Sequence, residues 1–223
     1  MEDTSIRFKA ILFDLDGTLI DTLADLADAG NAALRELGFP PHSAEDYKYF
    51  IGKGMEGLVR QILPVEASDQ QTVDKCLVLA KRYYSQYWKR NSRPYKGIAE
   101  LLTELEKRGI IKVVFSNKPD EFTGVMIRML LSKWRFEIVR GALPNVPIKP
   151  DPTAALQIAA EVKIKPEKFI YLGDSATDMQ TANAAGMYAV GALWGFRTAD
   201  ELLGGGAKVL VKEPREILKL IVP

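Results

Sequence analysis

Residues 9–21 have the sequence KAILFDLDGTLID, in which an apolar run is followed at once by two acids, a glycine and a threonine. The apolar part, residues 10–13, is typical of a buried strand in a parallel sheet. In open α/β sheets, ligands bind outside the carboxyl ends of the strands. We therefore expect Asp14 and Asp16 to face a crevice at one edge of such a sheet.

Asp14 and Asp16 are separated by a single leucine. On an extended chain, side chains two residues apart lie on the same side and can act on one substrate from different directions. This suits a nucleophile beside an acid/base, and a carboxylate that accepts a phosphoryl group needs a cation to hold the phosphate against it. The pair predicts Mg²⁺, whereas the bland alternative is an Asp-Gly turn with two solvated acids.

Composition restricts the classes of partner. The chain has 30 Lys and Arg against 29 Asp and Glu, a formal net charge of +1, so no whole-protein field attracts nucleic acid or an acidic membrane. Cys76 is the single cysteine, which excludes an internal disulfide. No segment approaches the ~20 apolar residues of a membrane span, and the first residues lack a signal-peptide core. We expect a cytoplasmic monomer or homodimer that binds a small molecule, and neither nucleic acid nor membrane.

The segment after the first strand is helical for an unusual length. Apolar residues recur at helical spacing from Asp21 to Leu37, over residues 55–63 and over residues 69–88, with no convincing strand before Arg93. A βα unit normally returns to its sheet through one helix, whereas this return takes some seventy residues. We therefore predict a helical cap domain at residues 21–93, inserted into a core domain made of residues 1–20 and 94–223.

Strands and helices alternate in the remainder of the chain. The predicted strands are 111–115, 136–139, 169–172, 188–192 and 208–211, and the predicted helices are 98–107, 120–131, 152–162, 177–185 and one from residue 214. This alternation is typical of an α/β protein with a doubly wound, Rossmann-like parallel sheet.

Polar residues follow two further strands and one proline-rich turn. Ser116 and Asn117 could donate to phosphate oxygens at a helix N-terminus, although each could equally cap that helix. Lys149 lies among three prolines that fix its backbone, and it could hold a phosphate as a point charge or be an ordinary surface lysine. Residues 173–178 have the sequence GDSATD. We expect Asp174 to be a direct Mg²⁺ ligand and Asp178 to be an additional or supporting ligand. The alternative is that polar residues of this segment only cap the following helix.

Together these motifs resemble one superfamily. DxDGT at residues 14–18, a serine ending the next core strand, Lys149-Pro150 and GDSxxD at residues 173–178 are similar to the motifs of the haloacid dehalogenase superfamily, including a cap after the first motif. More narrowly, FSNKP at 115–119, AGM at 185–187 and LWGFR at 193–197 resemble the phosphoglycolate phosphatase subfamily.

The resemblance implies a mechanism. Asp14 would attack phosphorus and form an aspartyl phosphate, and Asp16 would protonate the leaving oxygen and then deprotonate water. Mg²⁺ would be held by the Asp14 side chain, the backbone carbonyl of Asp16 and Asp174, with support from Asp178. The residues expected to bind substrate are Ser116, Asn117 and Lys149 at the phosphoryl oxygens, Thr18 in the loop after the first strand, and Lys53 in the cap.

Residues 49–54, YFIGKG, are the predicted specificity loop, because glycines on both sides of Lys53 make it flexible. Lys53 could contact a substrate carboxylate or be solvated. We expect a small anionic ester, 2-phosphoglycolate before pyrophosphate, nucleoside monophosphates or sugar phosphates. Three alternatives remain open, each with one feature against it: a phosphonatase (Asp16 is present), a phosphomutase (Asp178 is present) and a catalytically idle binding member (no acid or lysine is missing).

Overall fold

The computed structural model describes residues 8–221, which form a six-stranded parallel sheet between two helical layers. In chain order the strands are β1 (Ala10–Phe13), β2 (Ile20–Asp21), β3 (Arg93–Pro94), β4 (Ile111–Pro119), β5 (Ile138–Ala142), β6 (Phe169–Gly173), β7 (Tyr188–Ala192) and β8 (Val209–Val211). The helices are α1 (Leu23–Glu36), α2 (Ala44–Phe50), α3 (Gly54–Ile62), α4 (Gln70–Tyr87), α5 (Ile98–Lys107), α6 (Asp120–Leu130), α7 (Thr153–Glu161), α8 (Ala176–Ala184) and α9 (Ala199–Gly204). The expectation about a signal peptide falls mostly on residues outside the described range.

The six main strands are ordered β5-β4-β1-β6-β7-β8, and every neighbouring pair is parallel. Alternate residues of β1 enter different cores: Ile11 and Phe13 pack with helices α5 and α6, whereas Ala10 and Leu12 pack with α7 and α8. The predicted doubly wound α/β fold is confirmed. Because β1 lies between β4 and β6, Asp14 follows it at the centre of the sheet edge.

Helices α1 to α4 lie between β2 and β3, two short strands that pair antiparallel. Tyr47 of α2 and Tyr84 of α4 are fully buried in the core that these helices share with one face of the sheet. The predicted boundaries, 20/21 and 93/94, fall inside this two-stranded ribbon. It stays a prediction that residues 21–93 form a domain of their own, and we call α1 to α4 the cap helices below. Within residues 8–221, no helix is both long and apolar enough to span a bilayer.

Three local predictions were incomplete. β2 and β3 were missed, because strands of two residues leave no periodic pattern. Helix α2 was missed because Tyr47 is its only buried residue, although Ser43 and Asp46 form a capping box at its start. β4 continues four residues past Phe115, so Ser116 and Asn117 lie within the strand.

Asp25 joins the two ends of the cap segment. Its carboxylate is fully buried in α1 and accepts hydrogen bonds from the backbone N–H groups and the side chains of Asn91 and Ser92, at 2.8 to 3.1 Å. Charge-assisted bonds of this kind are about twice as strong as neutral ones. Asp25 therefore holds the return segment against the first cap helix.

We predict that Asp25→Asn lowers the free energy of unfolding by ~2–4 kcal/mol. Asparagine has one acceptor oxygen where aspartate has two, and its NH₂ group would face hydrogen-bond donors that aspartate satisfies. Denaturant unfolding measures the change. The matched control is Asp28→Asn on the exposed face of the same helix, for which we expect a change within about 0.5 kcal/mol. Equal effects of the two substitutions would contradict this role.

Candidate active site

Three acids from separate parts of the chain converge beyond the end of β1. Asp14 follows β1 and its N–H donates to the Leu172 carbonyl of β6 at 2.9 Å. Asp174 and Asp178 come from the loop after β6 and from α8. Each of the three offers a carboxylate oxygen within 4.8 Å of the others, and all three residues are buried. The sheet register thus brings together the acids that the sequence places far apart.

Lys149 lies between two of these acids. Its Nζ donates to Asp14 Oδ1 and to Asp178 Oδ1, at 2.7 Å in each case, and the side chain is almost fully buried. Burial disfavours the charged amine, yet Asp14 and Asp178 together hold the pKa of Lys149 well above its ordinary value. The lysine is therefore a fixed positive charge against Asp14.

Asn117 fixes the backbone of Lys149. Its Oδ1 accepts from the Lys149 N–H at 2.9 Å, and its Nδ2 donates to the Lys149 carbonyl at 3.1 Å and to the Gly52 carbonyl at 2.9 Å. Both ends of the amide are thus occupied. Asn117 connects Lys149 to the loop between α2 and α3.

Asp178 is saturated with hydrogen bonds. Its Oδ2 accepts from the Ser175 hydroxyl at 2.6 Å and from the Ser175 N–H at 3.1 Å. The Asp178 N–H donates back to Ser175 Oγ at 3.3 Å, and the two backbone N–H bonds form the capping box of α8. Asp178 Oδ1 accepts from Lys149. The capping box orients the Asp178 carboxylate toward Lys149, and the functional role of Asp178 stays a prediction.

Asp174 is held by the chain on two sides. The Phe196 N–H donates to its Oδ2 at 2.7 Å, and the Thr18 hydroxyl donates to its Oδ1 at 3.3 Å. A Cβ added at Gly17 or Gly195 would lie 2.2 or 2.3 Å from Asp174 atoms. Gly17 also has a φ of 83°, so glycine is required there for two reasons.

The structure places the remaining predicted residues in two groups. A single cavity is lined by Asp14, Asp16, Ser116, Asn117, Lys149 and Asp174, together with Lys118, Arg197 and residues of the cap helices. Thr18, Lys53 and Asp178 are not among its lining residues. Thr18 instead contacts Asp174 and accepts from Trp194 Nε1 at 2.9 Å, and Lys53 is exposed at the start of α3. The roles assigned to all these residues stay predictions.

The comparisons with known proteins give the family. A family model described as haloacid dehalogenase-like hydrolase matches residues 11–192. The chain belongs to this family. The predicted family and the predicted enzyme class, a hydrolase of phosphoric monoesters, are therefore confirmed.

Relatives in this family cover nearly the whole chain. A protein of Nitrosospira multiformis named phosphoglycolate phosphatase is 32% identical over 97% of this chain and 96% of its own length. A Pseudomonas aeruginosa protein named N-acetylmuramic acid 6-phosphate phosphatase is 29% identical, over 97% and 96% respectively. The crystal structure of a proposed phosphoglycolate phosphatase from Lactobacillus delbrueckii subsp. bulgaricus has a TM-score of 0.90 and 30% identity, covering 97% of this chain and 99% of that one.

Lys118 is a site residue to which the sequence interpretation gave no role. Its Nζ lies 2.8 Å from both carboxylate oxygens of Asp16 and 4.7 Å from the centre of the Tyr84 ring. Burial lowers the pKa of Lys118, but the Asp16 charge and Tyr84 outweigh this and raise it. Asp16 also accepts from the Thr22 hydroxyl at 2.7 Å. The only signal in the sequence was the position of Lys118 beside Ser116 and Asn117.

The charge of Lys149 does not fully offset the repulsion among Asp14, Asp174 and Asp178. Burial raises the pKa of Asp14 to about 7, with the Asp178 charge adding to the rise and Lys149 opposing it. Burial, followed by the charges of Asp14 and Asp178, raises the pKa of Asp174 well above its usual value. A divalent cation would relieve this repulsion, and carboxylate oxygens are the ligands that Mg²⁺ prefers. The residues therefore fit a cation.

We predict that Mg²⁺ raises the melting temperature of the protein, and more so at about pH 8 than at about pH 5.5, because protons compete with the cation for the carboxylates. The sign follows from the raised pKa of Asp14, which favours its protonated form below about pH 7. Thermal melts with and without Mg²⁺ measure the shift. Asp174→Asn should remove it, whereas Asp28→Asn should retain it; an equal shift in both variants would contradict the site.

Proposed function

We propose that the protein is a Mg²⁺-dependent phosphatase that hydrolyses a small phosphate monoester, 2-phosphoglycolate, through an aspartyl phosphate on Asp14. The observation that supports this best is the shared cavity, in which Asp14 and Asp16 both face the same space while a buried lysine contacts Asp14. A nucleophile, an acid/base and a fixed cation are the groups that this chemistry requires.

Asp14 is the proposed nucleophile. Its Oδ1 is bound by Lys149, and this ammonium reduces the repulsion between the carboxylate and an incoming phosphate dianion. Its rigid position at the end of β1 fixes the direction of attack on phosphorus. The P–O bond to the leaving group breaks as the bond to the Asp14 oxygen forms. Water then loses a proton to Asp16 and attacks the same phosphorus, which breaks the bond to Asp14 and releases inorganic phosphate.

Asp16 is the proposed acid/base. Lys118 and Thr22 hold its carboxylate inside the cavity, so that one residue can donate a proton to the leaving alkoxide and later accept one from water. A lone carboxylate on a mobile side chain would lack this orientation.

Mg²⁺ would be held by the carboxylates of Asp14 and Asp174 and by the backbone carbonyl of Asp16. Asp178 would support these ligands through Lys149, which its Oδ1 contacts at 2.7 Å. When bound, the cation supplies charge that stabilises the phosphoryl oxygens in the transition state. Ser116 and Lys149 would contact the same oxygens, whereas Asn117 would act by positioning Lys149.

The size of the cavity favours a small substrate. Its volume is about 40 Å³, whereas a single water needs roughly 10–15 Å³ on the same measure. An ester with only a few heavy atoms beyond the phosphate would need the least expansion of this space. Larger esters, including the substrate in the name of the Pseudomonas aeruginosa relative, would need the cap helices to move apart.

The experiment that tests this function compares phosphate release from 2-phosphoglycolate, pyrophosphate, nucleoside monophosphates and sugar phosphates in the presence of Mg²⁺. We expect kcat/KM for 2-phosphoglycolate to exceed the others by about tenfold or more, since its carboxylate can add contacts that neutral esters lack. A sugar phosphate or nucleotide at the top of the ranking would contradict the proposed substrate.

Asp14→Asn should lower kcat by about 10⁴-fold or more, because the amide cannot form the covalent intermediate. Asp28→Asn is the matched control, with unchanged kcat. If Asp14→Asn were as active as the wild type in a preparation free of other phosphatases, the proposed mechanism would be wrong.

A further inference from the structure

Arg197 has a donor that nothing in the protein satisfies. Its Nη1 is buried and has no hydrogen-bond partner, and within residues 8–221 it is the only buried side-chain nitrogen or oxygen of this kind. Buried polar groups in native proteins are nearly always paired, and an exception requires an explanation. For a permanently charged guanidinium, the cost of an unmade bond is larger than for a neutral group.

The rest of the guanidinium is held firmly. Nη2 donates to the carbonyls of Ile51 at 3.0 Å and Tyr49 at 3.3 Å, both at the end of helix α2, and Nε lies 3.8 Å from Glu201 Oε1. The plane of the guanidinium is therefore set by the core on one side and by the cap helices on the other. A rigid, pre-oriented donor loses little entropy when it binds an acceptor.

Arg197 also lines the cavity that holds Asp14 and Lys149. Its neighbour in sequence, Phe196, donates its backbone N–H to Asp174, so the position of Arg197 is tied directly to the acidic cluster. An acceptor bound in the cavity would therefore lie beside the Arg197 side chain. Arg197 directly follows the residue whose backbone N–H holds the proposed cation ligand Asp174.

The two lysines that line the cavity are in close contact with acids, whereas the contact between Arg197 Nε and Glu201 Oε1 is longer, at 3.8 Å. Lys149 is paired with Asp14 and Asp178, and Lys118 is paired with Asp16. Lys53, the cap residue predicted to meet a substrate carboxylate, is exposed and does not line the cavity. Among the described residues that line it, Arg197 is the cation with an unused donor.

We propose that Arg197 is a specificity residue that binds an anionic group of the substrate other than the phosphate that is transferred, a carboxylate in the favoured case. This rests on the proposed phosphatase function and names the substrate class: a phosphate monoester with a second negative charge. Because Nη2 bonds the carbonyls of Tyr49 and Ile51, the guanidinium makes this contact when the cap helices rest on the core.

The test compares two esters of similar size. 2-Phosphoglycolate has a carboxylate at the position where 2-hydroxyethyl phosphate has a neutral hydroxymethyl group. We expect Arg197→Gln to lower kcat/KM for 2-phosphoglycolate by about 10- to 100-fold and for 2-hydroxyethyl phosphate by less than about threefold. Arg197→Lys, which keeps the charge but loses the planar fork, should be intermediate. Arg135→Gln, at an exposed arginine, is the control and should change neither value.

Thermal melts of each variant separate substrate recognition from folding. If a variant keeps the wild-type melting temperature, a loss of kcat/KM confined to 2-phosphoglycolate does not result from unfolding. A parallel loss on both esters, or no loss on either, would overturn the role of Arg197 while leaving the proposed phosphatase function intact. A wild type inactive toward both esters would contradict the proposed function, and the Arg197 proposal with it.

Discussion

The ammonium of Lys149 lies 2.7 Å from a carboxylate oxygen of Asp14 and 2.7 Å from one of Asp178, and the remainder of the site is arranged around this contact. Three buried acids within 4.8 Å of one another would repel strongly without it. Removing one partner of a buried ion pair leaves a charge that neither water nor protein satisfies, which is far more costly than the net worth of the pair. The lysine therefore makes the acidic cluster compatible with a folded protein.

The same contact connects the chemistry to the cap helices. Asn117 holds the backbone of Lys149 and donates to the Gly52 carbonyl in the loop before α3, so the lysine, the end of β4 and the cap loop form one hydrogen-bonded unit. Arg197 makes a second connection, from the loop after β7 to the end of α2. Both of these polar links between the core and the cap helices involve residues that line the cavity.

The sequence predicted the sheet and the acids at its edge because these depend on local patterns: an apolar run, a doublet of acids and the turns that follow. It could not predict which polar atoms remain available, since this depends on partners far along the chain. Asn117 was expected at the phosphate, but its amide is occupied by Lys149 and Gly52. The motifs FSNKP and LWGFR contain Lys118 and Arg197, but the sequence indicated no role for either residue. Lys118 contacts Asp16, and Arg197 contacts carbonyls at the end of α2, and these partners lie about a hundred residues or more away in the chain. Helix α2 was missed for a different reason: Tyr47 is its only buried residue, so the helix has no periodic apolar stripe.

The central claim is that Asp14 becomes covalently phosphorylated during turnover. Acid quenching of the wild-type enzyme with excess 2-phosphoglycolate and Mg²⁺, followed by borohydride reduction and peptide mass spectrometry, detects an acyl phosphate directly because reduction converts a phosphorylated aspartate to homoserine. If Asp14 is the nucleophile, we expect homoserine at position 14 and unmodified aspartate at positions 16, 174 and 178. Steady phosphate release with aspartate intact at position 14, or homoserine at another of these positions, would contradict it.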